Sequence, residues 1–188
     1  VIDHIDDLNR RIANLDELVQ DYMDEYVAAI AALCEIPGIA RRSAEVILAE
    51  IGLDMSRFPS AAHLCSWAGV CPGNYQSAGH RKHGKTTKGN KALKTILTQC
   101  AKSARSVKKS YFSAQYQRIS ARRGKNRATL AVAHSMLIAI YHMLKNNVPF
   151  RDLGADYYDS FNRDKKIHGY LKRLKALGWE PDTLPGSA

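Results

Sequence analysis

Nine apolar residues near the start of the chain recur at alternating spacings of three and four: Ile5, Leu8, Ile12, Leu15, Val19, Tyr22, Tyr26, Ala29 and Leu33. That period is the a/d seam of a heptad repeat. It runs for about four heptads with no proline or glycine to break it. The spacing predicts one long helix over residues 1–34. A narrow apolar stripe of this kind meets either another helix in a coiled coil or the chain's own body. The remaining face is acidic and turns away from nucleic acid. The expectation is an arm that makes a homo-oligomer through residues 5–33.

Charge then divides the chain. Residues 1–35 hold nine acids and two arginines, residues 36–150 nineteen bases and three acids, and residues 151–188 seven bases and six acids. The extreme is the run 55–151, in which 97 residues carry eighteen lysines and arginines and no carboxylate. A folded surface ordinarily mixes both signs, so a one-sign stretch of this length calls for a partner of opposite sign. Nucleic acid fits, because neutralising phosphates releases condensed counterions. The same absence restricts the chemistry. No carboxylate in this run can hold a metal or act as a base, so a reaction centred there uses Ser, His, Lys or Arg, or borrows acids from elsewhere. Hydrophobic residues make up 45% of the chain, which predicts a packed core rather than disorder. The expected divisions are an arm at 1–34, a basic domain at 35–150, and a C-terminal helix and tail at 151–188.

Cys34, Cys65, Cys71 and Cys100 show no C-x-x-C spacing and read as reduced thiols in or near the core. No apolar run approaches the length of a membrane span and no signal peptide is visible. A membrane is therefore not an expected partner, and a cytoplasmic, nucleoid-associated location is expected. The chain begins at Val1 without a methionine, as a fragment of a longer protein would.

From Leu33 to Leu48 an apolar helix end, Pro37-Gly38 and a second apolar helix follow in close order. The pattern resembles a helix-hairpin-helix, whose turn brings backbone N–H groups and a helix N-terminus to a phosphate. Gly38, Arg41 and Arg42 would serve there, with Ala40 standing where that motif has a second glycine. The competing reading is a plain corner between two helices. Further helices are expected at 60–69 (Ser60 as N-cap, Gly69 as stop), about 91–106, 108–122, 126–146 and 163–177. The stretch Ala128–Leu144 is apolar almost all round and reads as the central core helix. No strand alternation is convincing. The fold class expected is all-α: a long N-terminal coiled-coil helix, a helix-hairpin-helix and a compact helical bundle.

Between Gly69 and Lys94 lies a loop dense in Gly, Ser, Thr, Asn and base. Ser77 is a hydroxyl between small and polar neighbours among many cations. Positive charge lowers the cost of an alkoxide and also binds the phosphodiester it would attack. From the residues alone this is a phosphate-binding loop, in which Ser77 either contacts a phosphate or attacks it. Gln76, Gly79, Arg81, Lys82, Lys85, Lys88, Asn90, Lys91 and Lys94 are the expected nucleic-acid contacts. Asn90 opens a helix whose free N–H groups suit a phosphate.

The run Trp67-Ala68-Gly69, Pro72, Gln76-Ser77, Gly79, Gly84, Thr87-Lys88-Gly89-Asn90 and Leu93 resembles the serine-containing C-terminal domain of a transposase family. These are the bacterial insertion-sequence transposases of the IS-one-ten and IS-eleven-eleven kind, or bridge-RNA-guided recombinases. The hairpin pattern at 33–48 and the ending Leu171–Trp179 sit where that family has them, so the resemblance covers residues 20–180. It implies that Ser77 attacks a DNA phosphodiester and holds the strand as a phosphoserine. It implies DNA as partner, a guide (bridge) RNA as a further one, and composite active sites between protomers. It also implies an N-terminal RuvC-like domain, preceding Val1, whose four acids hold a divalent metal. No cofactor is expected in this chain, which alone should bind nucleic acid and be a poor catalyst or none.

Other residues carry weaker signals. His80 and His83 read as solvated, phosphate-facing imidazoles rather than a metal pair, and as weak bases among so many cations. Lys102, Arg105, Lys108, Lys109, Arg118, Arg122, Arg123, Lys125 and Arg127 form basic helix faces suited to backbone contact. Tyr75 and Tyr116 are candidates for stacking on bases or for the core. The acids of Asp156-Tyr157-Tyr158-Asp159 suit an ion pair with the basic body. The rival functions are a non-catalytic nucleic-acid-binding module and an oligomerisation piece of a larger complex.

Overall fold

The computed structural model describes residues 2–71, 75–77, 80–82, 88–161 and 163–179. Among these the chain is all-α apart from one short hairpin. The helices are α1 (Ile2–Tyr22), α2 (Val27–Cys34), α3 (Arg41–Ile51), α4 (Ala61–Trp67), α5 (Lys91–Ala104), α6 (Tyr111–Arg123), α7 (Lys125–Asn146), α8 (Tyr157–Ser160) and α9 (Arg163–Ala176). Strands β1 (Tyr75–Ser77) and β2 (His80–Lys82) pair antiparallel between α4 and α5.

The apolar sequence of α7 places it at the centre, packed on α4, α5 and α6. Val132, Ala133, Met136, Leu137 and Ile140 are fully enclosed, and Tyr141 reaches through to donate to the Phe58 carbonyl at 3.1 Å. Glycine at 124, with φ +84°, separates α6 from α7, and Asn147 in the left-handed region ends α7. Contrary to the sequence expectation, α7 is long and apolar enough to cross a bilayer; half of that span is buried inside the bundle.

The arm departs from expectation. The helix over 1–34 is interrupted: α1 ends at Tyr22, a 3₁₀ turn covers Asp24–Tyr26, and α2 follows. The turn rotates the chain so that Met23, Ile30 and Leu33 enter the core, while Tyr26 and Ala29 pack partly against it. The heptad seam is thereby cut in two. Ile5, Leu8, Ile12, Leu15, Val19 and Tyr22 remain exposed on α1, which has no buried residue. A 3₁₀ turn preserves the i,i+3 spacing, so the seam reads through it without a break.

Smaller differences have simple causes. The hairpin was not expected because strands of three residues are too short to show a period of two. Ser60 precedes α4, but its hydroxyl bonds the His63 ring at 2.9 Å instead of capping the backbone. Cys65 and Cys100 are buried as expected, whereas Cys34 is exposed at the end of α2.

Candidate functional site

The hairpin leaves and rejoins the bundle through one gate. At its start, α4 ends in a reverse turn: Gly69 has φ +72°, and Val70 N–H donates back to the Cys65 carbonyl at 3.1 Å. At its end, Asn90 N–H donates to the Trp67 carbonyl at 3.1 Å. Gly89 lies between, with φ +52°. A β-carbon there would stand 2.4 Å from Gly69 N and 2.6 Å from Ala68 C, so the two glycine backbones touch and no side chain fits. Asn90 then caps α5, its Oδ1 accepting from Leu93 N–H at 2.9 Å. Its Nδ2 donates to Glu50 Oε2 on α3 at 2.6 Å.

Within this frame β1 and β2 hold Gln76 and Ser77 opposite Arg81 and His80, in the register Gln76↔Arg81 and Ser77↔His80. Arg81 and Lys82 lie on β2. Gly79, His83 and Lys85 lie outside the described residues. Lys88 and Lys91 are exposed at the gate, and Lys94 is half-buried one turn further along α5. The structure thus places Lys88, Asn90, Lys91 and Lys94 at or beside the gate from which the segment bearing Ser77 departs.

The turn before α3 is a second, separate place. Gly38 has φ +91°, and a β-carbon on it would come within 2.6 Å of both Ala104 N and Cys100 O of α5. Close packing of the turn on α5 accounts for this glycine without a ligand. Arg41 pairs with Glu45 at 2.9 Å, and Arg42 with Glu45 at 3.6 Å and with Asp16 on α1. Glu45 is buried, and its Oε2 makes no hydrogen bond. The two arginines therefore meet protein carboxylates first. The Arg42–Asp16 contact ties the acidic arm to the body.

The basic faces of α5, α6 and the start of α7 are exposed at Lys102, Arg105, Lys108, Lys109, Arg118, Arg122, Arg123, Lys125 and Arg127. Several of these cations have internal partners, Arg122 donating to the Arg118 carbonyl at 3.3 Å among them. Arg105 lies 5.6 Å over the Tyr116 ring, and Tyr116 is a core residue rather than a stacking platform. Arg118 pairs with Asp159 at 3.4 Å and lies 5.2 Å over the Tyr158 ring. The acids after the long gap thus form the ion pair foreseen. Tyr158 stacks on Tyr111 and donates to its hydroxyl at 2.8 Å, with burial pushing the Tyr158 pKa up, so this pair staples α8 to α6. Among the described residues no group of three or more His, Cys, Asp or Glu could hold a metal ion.

Sequence reasoning missed Glu50, Trp67 and the pairing of Gly69 with Gly89. The signal for Glu50 was present: it is one of only three acids in residues 36–150.

A small helical body with cation-rich faces, holding one hairpin out through a glycine-and-asparagine gate, defines the class. Residues 30–117, from α2 through the hairpin to α6, match the sequence profile described as the transposase IS116/IS110/IS902 family. Over that segment the chain is similar to this transposase family. A pilin gene-inverting protein of Moraxella bovis is 29% identical over 139 residues, covering 72% of this chain and 39% of that protein. The pilin gene-inverting protein of Moraxella lacunata matches to the same extent. The insertion element IS110 uncharacterized 43.6 kDa protein of Streptomyces coelicolor is 32% identical over 121 residues, covering 61% of this chain and 28% of that protein. The chain thus spans about two fifths or less of the length of these curated relatives.

Proposed function

We propose that this chain is the DNA-binding part of a transposase or recombinase and supplies a serine nucleophile, Ser77. The Ser77 oxygen gives up its proton, bonds to the phosphorus of a DNA phosphodiester and displaces a sugar oxygen, which takes up a proton and leaves as a hydroxyl, so that the strand is held as a phosphoserine ester. A hydroxyl from another strand end reverses the step. Cations at the gate and on β2 (Lys88, Lys91, Arg81, Lys82) bind the phosphate and offset the charge that develops on it. The observation that carries this reading is the gate. It fixes both ends of the segment that carries the serine-bearing hairpin, in the middle of a carboxylate-free, cation-rich stretch. The name of the Moraxella relatives, pilin gene-inverting protein, agrees with a role in DNA rearrangement.

The whole assembly follows from the same reading. A divalent metal belongs to a RuvC-like domain supplied with the rest of a full-length protein, where it would stabilise charge on reacting phosphate oxygens. The exposed seam of α1 joins copies of the chain through residues 5–22, since residues 26–33 are already used in the body's own core. A guide RNA is a further partner of the basic faces.

The test is Ser77→Ala in a full-length protein supplied with metal, partner RNA and DNA. Strand exchange should be abolished and DNA affinity nearly unchanged, because a single phosphate hydrogen bond contributes only about 1 kcal/mol. Covalent protein–DNA adducts should vanish as well. Normal exchange by this variant, or an adduct mapped to another residue, would return the chain to the class of non-catalytic binding modules.

A further inference from the structure

We propose that Asn90, held by Glu50, is the positioning residue of the serine hairpin: it fixes the height and direction of the hairpin on the bundle without touching DNA. The inference rests on the reading of Ser77 given above. Asn90 joins three elements at once. Its N–H bonds the Trp67 carbonyl at the end of α4, its Oδ1 bonds Leu93 N–H in the first turn of α5, and its Nδ2 bonds Glu50 Oε2 on α3. A residue that served only as a helix cap would need the acceptor alone, and Asp or Ser would do as well. The donor is what singles out asparagine here. Its amide accepts on one side and donates on the other, whereas an aspartate would face the Glu50 carboxylate at a separation of 2.6 Å.

Gly89 and Gly69 press together directly beside these bonds, so the gate has no slack that a side chain could take up. On this proposal the anchored gate sets where the serine stands relative to α5 and the gate lysines. Displacement of a reacting atom by about 1 Å can cost about 100-fold in rate. Loss of the Asn90–Glu50 bond should therefore appear in the chemical step, not in DNA affinity.

The experiment uses chemically reciprocal variants in the full-length protein with its metal, RNA and DNA. Asn90→Asp retains the cap on Leu93 and loses the donor; strand exchange should fall by at least about tenfold, with DNA affinity within about twofold. Glu50→Gln alone should change little, because the new amide oxygen still accepts from Asn90. Combining the two should restore exchange to within about threefold, since the new amide nitrogen donates to the new carboxylate in the opposite sense. Unaltered exchange by Asn90→Asp would overturn the proposal. So would a loss that Glu50→Gln fails to repair in a protein with unchanged melting temperature. Hydrogen exchange of the Asn90 amide in the chain alone reads the gate apart from the chemistry. It should be slow in the unaltered chain, faster in Asn90→Asp and slow again in the double variant. Fast exchange in the unaltered chain would overturn the gate whatever Ser77 does. A protected Asn90 amide combined with normal strand exchange by Ser77→Ala would overturn the nucleophile and leave Asn90 as an anchor of the hairpin.

Discussion

Helices α1 and α7 are nearly equal in length, 21 and 22 residues, and opposite in surroundings. No residue of α1 is buried, whereas nine of α7 are. The sequences account for the contrast through the width of the apolar stripe. On α7 apolar residues spread round the cylinder, and each large side chain fully buried contributes about 1.5–3 kcal/mol. On α1 they keep to one a/d line between charged faces. Its visible support is Asp7 paired with Arg10 at 2.6 Å and with Arg11 at 2.9 Å, each such exposed pair contributing about 0.3–0.5 kcal/mol. Equal helical length therefore says nothing about where stability comes from. The core helix carries its support within the chain, and the arm's apolar line stays exposed.

The largest expected effect sets the acidic arm against the basic body. If five or six body cations contact phosphates, log affinity for duplex DNA should fall against log salt with a slope of about −5, roughly a thousandfold between 50 and 200 mM. Replacing Arg81, Lys82 and Lys85 with Ala should flatten the slope by about 3. Replacing acids of α1 with their amides should leave it unchanged. A flat salt response of the unaltered chain would break the contrast.

Next comes the core against the arm. Leu137→Ala should cost about 3 kcal/mol in urea denaturation. Leu15→Ala, measured at concentrations where the chain is monomeric, should cost under about 0.5 kcal/mol. Equal costs would mean that α1 lies against its own body.

The arm's own effect is on assembly. Leu15 and Val19 changed to Asp should give a folded monomer by light scattering. An unaltered chain that is already monomeric at high micromolar concentration would remove the arm from assembly altogether.

The contact between arm and body is weaker. A double-mutant cycle on Asp16 and Arg42, both exposed, should give about 0.5 kcal/mol at low salt and less at high salt. A coupling several times larger would make the arm's direction a fixed part of the fold.

The smallest effect is on α7 alone. Burial holds the His134 pKa below its usual 6.5, so the folded state keeps this ring neutral while the unfolded chain would protonate it. The resulting stability is present above the unfolded value and is lost as pH falls through it towards the folded one. His134→Gln should therefore flatten the decline of the urea midpoint between pH 7.5 and 5.5. An identical decline in the variant would show that the ring does not titrate in this window.

How much of this could be read in advance follows from what each signal encodes. The core position of α7 was legible because apolar residues on every side leave no solvated face. Asn90 was legible as the start of α5, since a short polar side chain before an apolar period is a local signature. Met23 was not. Its burial depends on a rotation of the chain that alters no spacing in the seam. Gly38 and Gly89 were visible as glycines but not as contacts. Their neighbours, α5 and Gly69, are brought near by the fold and not by the sequence around them. Glu50 stood out as a rare acid, but its partner, forty residues away, was hidden for the same reason.

The gate has one more consequence, for how such a segment can vary. Trp67 and Asn90 are held together by the bundle, so the chain between them closes a ring whose ends are already joined. The entropy of closing a ring grows only with the logarithm of its length; doubling it costs about 0.6 kcal/mol. Residues between Gly69 and Gly89 can therefore be lengthened, shortened or exchanged with little effect on the helices beneath. The bundle acts as a socket, and the hairpin is an interchangeable insert whose chemistry can diverge while its mounting stays the same.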